Sequence, residues 1–181
     1  PEADPVQKIT IVARGMAAGY TIALPVDDRS LTGRKKLLAE MVGLLGGRAA
    51  EALVFDDITS GAANDIERVT QLARNIVTRL GMSEELGPMV YGQKEELIFL
   101  GREISEQRDY SEAVAEKIDQ EVRKLVNDAF EQAKSILTQY REQLNAVART
   151  LMEVETIGHD EFLKLFPPPV EKKSGTPLKK D

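Results

Sequence analysis

The sequence predicts a mainly α fold with a small β-hairpin or ribbon near its start and an antiparallel helical hairpin near its end. Three observations predict it. Apolar residues recur at helical spacing over four stretches, residues 33–53, 64–80, 111–140 and 141–154. Two short β-branched segments lie between residues 7 and 24. Gly, Pro and Asp clusters separate the stretches and supply the turns between them.

The first segment, Gln7-Lys8-Ile9-Thr10-Ile11-Val12, nearly alternates. The second, Gly19-Tyr20-Thr21-Ile22-Ala23-Leu24, ends at Pro25. Arg14-Gly15-Met16-Ala17-Ala18 joins them, which predicts a hairpin over Ile9 to Leu24 whose edge suits an extended peptide. Thr32 is a candidate N-cap for one helix from about Gly33 to Leu53, with Leu37, Leu38, Met41, Leu44, Leu45, Ala49 and Leu53 as its apolar positions. Gly43 and Gly47 share a face of that helix. Glycine costs about 1 kcal/mol inside a helix, so close approach of another backbone is the simplest expectation there.

Next comes Thr59-Ser60-Gly61-Ala62-Ala63-Asn64-Asp65-Ile66-Glu67-Arg68, a Gly turn feeding an amphipathic helix that Asn64 or Asp65 caps or opens. Ile66, Val69, Leu72, Ala73, Ile76, Val77 and Leu80 form its stripe, and Gly81 stops it. Residues 83–108 are looser, with Glu96 to Leu100 as a short extended candidate. From Ser111 one stripe runs through Val114, Ile118, Val122, Leu125, Ala129, Ala133, Ile136, Leu137 and Tyr140. A second helix carries Leu144, Val147, Leu151 and Val154, and the pair predicts the helical hairpin. Gly158-His159-Asp160 reads as a cap before a last short helix, Glu161 to Leu165. Pro167-Pro168-Pro169 ends the domain, and residues 170–181 have the composition of a disordered tail.

Composition narrows the chemistry. The 181 residues hold 24 basic and 30 acidic side chains, a net charge of −6, which argues against nucleic acid as the main partner. Lys172, Lys173, Lys179 and Lys180 cluster in the tail and read as solvated. The start of the chain shows no signal peptide, and no apolar run reaches the ~20 residues that span a bilayer. There is no Walker A or dinucleotide fingerprint around Gly46-Gly47. With no Cys and one His, His159, these residues alone cannot form a His- or Cys-rich zinc site. His159 lies in a capping context, and Asp27-Asp28 and Asp56-Asp57 read as turn residues. Asp65 stands apart, because a carboxylate on the first turn of a helix is held firmly and can face backbone amides or a metal.

Several blocks in order resemble the peptidase domain of the FtsH family, the membrane-anchored ATP-dependent zinc metalloproteases. They are Asp4-Pro5-Val6-Gln7-Lys8-Ile9-Thr10-Ile11, Arg14-Gly15, Gly19-Tyr20-Thr21, Leu44-Leu45-Gly46-Gly47-Arg48-Ala49-Ala50-Glu51, Thr59 to Asp65, and Gly81-Met82-Ser83-Glu84-Glu85-Leu86-Gly87-Pro88. The resemblance extends to about Phe166.

In that family both histidines of a His-Glu-x-x-His helix and a later Asp hold Zn2+, and the Glu is the general base. The resemblance aligns Asp65 with the later Asp. Glu51, on the preceding helix, is a candidate for orienting a ligand. The family's His-Glu-x-x-His helix, its ATPase domain with ATP and Mg2+, and its transmembrane segments lie before the equivalent of Pro1. The resemblance therefore implies a mainly α zinc-peptidase domain truncated at its N-terminus, residues 1–166, with a Pro/Lys-rich tail, 167–181. It implies a parent that unfolds and processively degrades protein substrates as a homo- or hetero-hexamer. It places this domain on the soluble side of a membrane, in a bacterial cytoplasm or an organelle interior. The chain by itself is expected to be inactive. The contrasting expectation is a non-enzymatic helical oligomerisation or adaptor module in which Asp65 is only a helix-start carboxylate.

Overall fold

The computed structural model describes residues 2–13, 19–24, 31–94, 106–107 and 109–166. The Arg14–Ala18 connection, Asp27-Asp28, Glu96 to Leu100 and the tail lie outside the described residues. The chain divides into two units: Pro1–Asp4 with Pro25–Arg141, and Pro5–Leu24 with Glu142–Asp181.

The larger unit is helical. It holds α1 (Arg34–Leu44), α2 (Gly46–Phe55), a one-turn 3-10 helix (Ser60–Ala62), α3 (Ala63–Thr78), the short antiparallel pair β3 (Gln93–Lys94) and β4 (Glu106–Gln107), and α4 (Glu112–Gln139). The apolar stripes of α1, α3 and α4 converge on one core, where Met41, Val69, Ala73, Ile76 and Val77 are fully buried and Ile118, Val122 and Leu125 nearly so. Each large buried side chain contributes about 1.5–3 kcal/mol of transfer free energy. α2 packs on α4, and its buried side chain is the small Ala49.

Three sequence expectations change here. The helix expected over Gly33 to Leu53 is two helices, broken at Leu45, although Leu45 N–H still reaches the Met41 carbonyl (3.1 Å) and Ala49 N–H the Leu45 carbonyl (2.9 Å). Thr32 does not cap α1. Gly33 is the N-cap, extended at φ −77° and ψ 156°, with no side-chain hydrogen bond. A Cβ built on Gly43 or Gly47 meets nothing within 4 Å among the described residues, so no close backbone approach among them accounts for these glycines. Both flank the break at Leu45, where helix propensity matters less than it does mid-helix.

The second helical stretch, α3, ends at Thr78 with Arg79 as its C-cap, and Gly81 follows two residues later. Gly81 adopts φ +58°, which favours glycine, and the Met82 N–H turns back to the Ile76 carbonyl at 3.1 Å. The loop beyond is tied down at several points. Arg34 Nε donates to the Met82 carbonyl (2.9 Å), and the Ser83 hydroxyl donates to Glu121 Oε2 on α4 (2.9 Å) while accepting from Leu86 N–H (3.1 Å). These bonds fix the C-terminal end of α3. Ser111 caps α4 through the Val114 N–H, where the sequence starts that helix.

The smaller unit is built on a three-stranded sheet of order β2-β1-β5, from β1 (Val6–Thr10), β2 (Tyr20–Ala23) and β5 (Thr156–Gly158), with α5 (Arg141–Val154) leading into it and α6 (His159–Lys164) following. Both neighbours of β1 run antiparallel to it, with Ile9 opposite Thr21 on one side and Ile157 on the other. The expected hairpin is present, but β1 is central, so of its two strands only β2 is an edge among the described residues. β5, which the sequence does not predict, ends at Gly158, and Gly158 is the N-cap of α6 as the sequence reading has it. Buried Thr10 secures the strand, its hydroxyl lying 3.1 Å from the Glu155 carbonyl and 2.8 Å from Thr156 Oγ1. The last helix begins at His159 rather than Glu161, and Glu161 closes back on the Gly158 N–H (3.2 Å). α4 and α5 follow one another as expected. The division between units falls at their junction, and the helices packed on α4 within its own unit are α1, α2 and α3.

Candidate metal centre

Asp65 lies on the first turn of α3, two residues past the helix start at Ala63. Neither it nor Asn64 caps that helix. The N-cap is Ala62, with no side-chain hydrogen bond. The Asp65 carboxylate therefore keeps its oxygens off the helix amides, while its charge still complements the positive end of the helix. It is 46% exposed, and among the described residues its charged neighbour is Arg68, 3.9 Å away and itself exposed. A surface pair at that distance is worth roughly 0–1 kcal/mol, too little to sequester the carboxylate.

The turn before it is braced from α2. Thr59 is the N-cap of the 3-10 helix, its hydroxyl accepting from the Gly61 N–H at 3.1 Å. The same hydroxyl donates to Glu51 Oε1 at 2.6 Å, and Glu51 Oε2 accepts from the Thr59 N–H at 3.3 Å. Bonding by the Thr59 hydroxyl first, and by its backbone N–H second, holds the Glu51 carboxyl below its ordinary value of 4.5; Arg48 adds to this, while desolvation and Asp57 oppose it. Gly61 leaves room for the arrangement, since a Cβ there would lie 3.2 Å from Thr59 Oγ1 and 3.9 Å from Glu51 Oε1.

Sequence reading names Asp65 and Glu51, and the fold brings both to the same turn without placing them in contact. It passes over Thr59 as a functional group. The available signal was a Thr two residues before a Gly at a helix entrance, a spacing that favours a hydroxyl-to-amide bond. Asp56 and Asp57 end α2: Asp56 is left-handed at φ 51°, and Asp57 Oδ1 accepts from the Ile58 N–H at 2.7 Å. His159 belongs to the other unit. Its Nδ1 is 2.6 Å from the Val6 carbonyl, which can only accept, so Nδ1 carries the hydrogen.

Among the described residues no three His, Cys, Asp or Glu side chains converge as a metal cluster. A zinc site needs three protein ligands and an open position, or four ligands. Asp65 fits as one hard oxygen ligand of such a set, being exposed, on the first turn, and reached through the small residues Gly61, Ala62 and Ala63.

The family model for peptidase family M41 matches residues 1–165. The chain is 52% identical over 173 residues to an ATP-dependent zinc metalloprotease FtsH of Thermotoga maritima, covering 95% of this chain and 28% of that protein. It is 53% identical over 169 residues to an ATP-dependent zinc metalloprotease FtsH 1 of Sphaerobacter thermophilus, covering 93% and 26%. The corresponding protein of Thermomicrobium roseum is 51% identical over 180 residues, covering 98% and 28%. The chain thus spans little more than a quarter of each of these relatives.

Proposed function

The chain belongs to peptidase family M41, and on that premise we propose that it forms part of an ATP-dependent zinc metalloendopeptidase in which Asp65 is a zinc ligand. The observation that carries this reading is the exposed Asp65 carboxylate, presented from a braced turn on the first turn of α3. The other ligands, two histidines, and the glutamate that serves as general base are contributed by residues other than these 181, which include a single His. Bound zinc supplies Lewis acidity toward a peptide carbonyl and brings the pKa of water near 7.

The chain's own part is to bind and orient. α3 is anchored by buried Val69, Ala73, Ile76 and Val77, so the carboxylate at its start is held on a rigid element. Glu51 stands behind the turn and holds it to α2. ATP and Mg2+ act at a separate ATPase domain of the complete protein. That protein works as a hexamer on protein substrates and is membrane-associated through other segments. No helix among the described residues is long and apolar enough to cross a membrane.

The test is Asp65→Ala in the complete protein. Proteolysis of casein is expected to be abolished while ATP hydrolysis stays largely intact. Unchanged casein degradation would remove Asp65 from the ligand set and favour the adaptor reading.

A further inference from the structure

Resting on the reading of Asp65 as a zinc ligand, we propose that Thr59 is a positioning residue for that ligand, its hydroxyl bridging Glu51 to the Gly61 amide and so fixing the turn from which Asp65 projects. Between Thr59 and Asp65 the residues are Ser60, Gly61, Ala62, Ala63 and Asn64. Small residues give this backbone freedom, and of them only Ala62 is buried among the described residues. α3 has no side-chain cap of its own. Among the described residues, the side-chain bonds that organise this stretch are those of Thr59 and Glu51.

The geometry is that of a clamp. One carboxylate takes both the N–H and the hydroxyl of Thr59, at 3.3 and 2.6 Å. The hydroxyl's remaining acceptor capacity meets the Gly61 N–H at 3.1 Å. Glu51 sits on α2, which packs against α4. The turn is thereby referenced to the helical core at its first residue and by α3 at its last. These bonds are solvent-exposed, two of the three are made to the ionised Glu51 carboxylate, and exposure limits what they add to stability. Their larger effect is geometric. Groups bonded directly to a metal ligand typically set about 10–100-fold in metal affinity, and Thr59, acting one step further out through the turn, belongs at the low end of that range.

The experiment measures zinc affinity by chelator competition, and the visible absorption of the Co2+-substituted form, in the complete protein. Thr59→Val keeps the shape and deletes the bridge. It is expected to weaken zinc binding by about tenfold and to shift the Co2+ spectrum. Thr59→Ser keeps the hydroxyl and is expected to restore both. Wild-type affinity and spectrum in Thr59→Val, alongside weakened binding in Asp65→Asn, would overturn the clamp and leave the ligand reading standing. Undiminished binding in Asp65→Asn would overturn both. Should Thr59→Val fail to fold, Gly61→Ala crowds the Thr59 hydroxyl without deleting a hydrogen-bonding atom. The same loss is then expected, and unchanged affinity would refute the clamp.

Discussion

Glu51 carries a pH signature of the brace. Its folded-state pKa is lowered by the Thr59 hydroxyl and then the Thr59 amide, so the ionised form is favoured in the folded protein. A depressed carboxylate adds stability that is fully present above its unfolded value, near 4.5, and is lost as pH falls through the lower folded value. Wild type is therefore expected to exceed Glu51→Gln in urea stability at neutral pH, and the gap to close as pH drops below 4.5. A gap that stays constant from about pH 7 to about pH 3 would show that the hydrogen bonds from Thr59 do not set it. At this scale the sequence carried part of the candidate site. Asp65 is legible because its position depends on neighbours a few residues away. The Glu51–Thr59 contact joins residues eight apart across the end of α2, and no local pattern specifies which side chains meet there.

At the scale of elements, glycines separate what periodicity encodes from what packing decides. Gly43 lies in the last turn of α1 with open space around its Cβ position among the described residues, so Gly43→Ala is expected to stabilise by about 0.4 kcal/mol, less than the mid-helix figure. Gly81 is the opposite case. Its φ of +58° disfavours any side chain, and an added Cβ would lie 3.1 Å from the Pro88 backbone. Gly81→Ala is expected to cost about 1–2 kcal/mol or more. Denaturant unfolding midpoints of the two variants read both signs, and a destabilised Gly43→Ala would point to a backbone contact at that face. The stripes of α3 and α4 are legible because their buried positions are also their periodic ones. β5 is not, since three residues, Thr156–Gly158, carry too short an alternation to signal a strand. It exists because β1, some 146 positions earlier, offers an edge and Thr10 a hydroxyl.

For the whole molecule, the relevant fact is share. The chain covers 28% of its Thermotoga maritima relative, and among its described residues no three His, Cys, Asp or Glu side chains gather as a metal cluster. These 181 residues alone are expected to show no casein hydrolysis and no tight stoichiometric zinc. Metal analysis after dialysis reads this directly, and one zinc retained per chain would contradict it. The complete protein is expected to hold zinc and to lose proteolysis when the metal is chelated.

The sequence by itself determined the helical class, the cap that starts α4 at Ser111, the glycine turn just beyond α3 at Gly81, the family, and the carboxylate most worth testing. Those properties are written in contiguous residues, through period, capping chemistry and ordered motif blocks. Only the tertiary structure decided the break at Leu45, the third strand, the tie from Ser83 to Glu121 and the grip of Glu51 on Thr59. Each of these depends on where separate elements come to rest. Core packing sets that for the helices, and strand pairing sets it for the sheet, so a reading along the chain meets both partners without seeing that they touch.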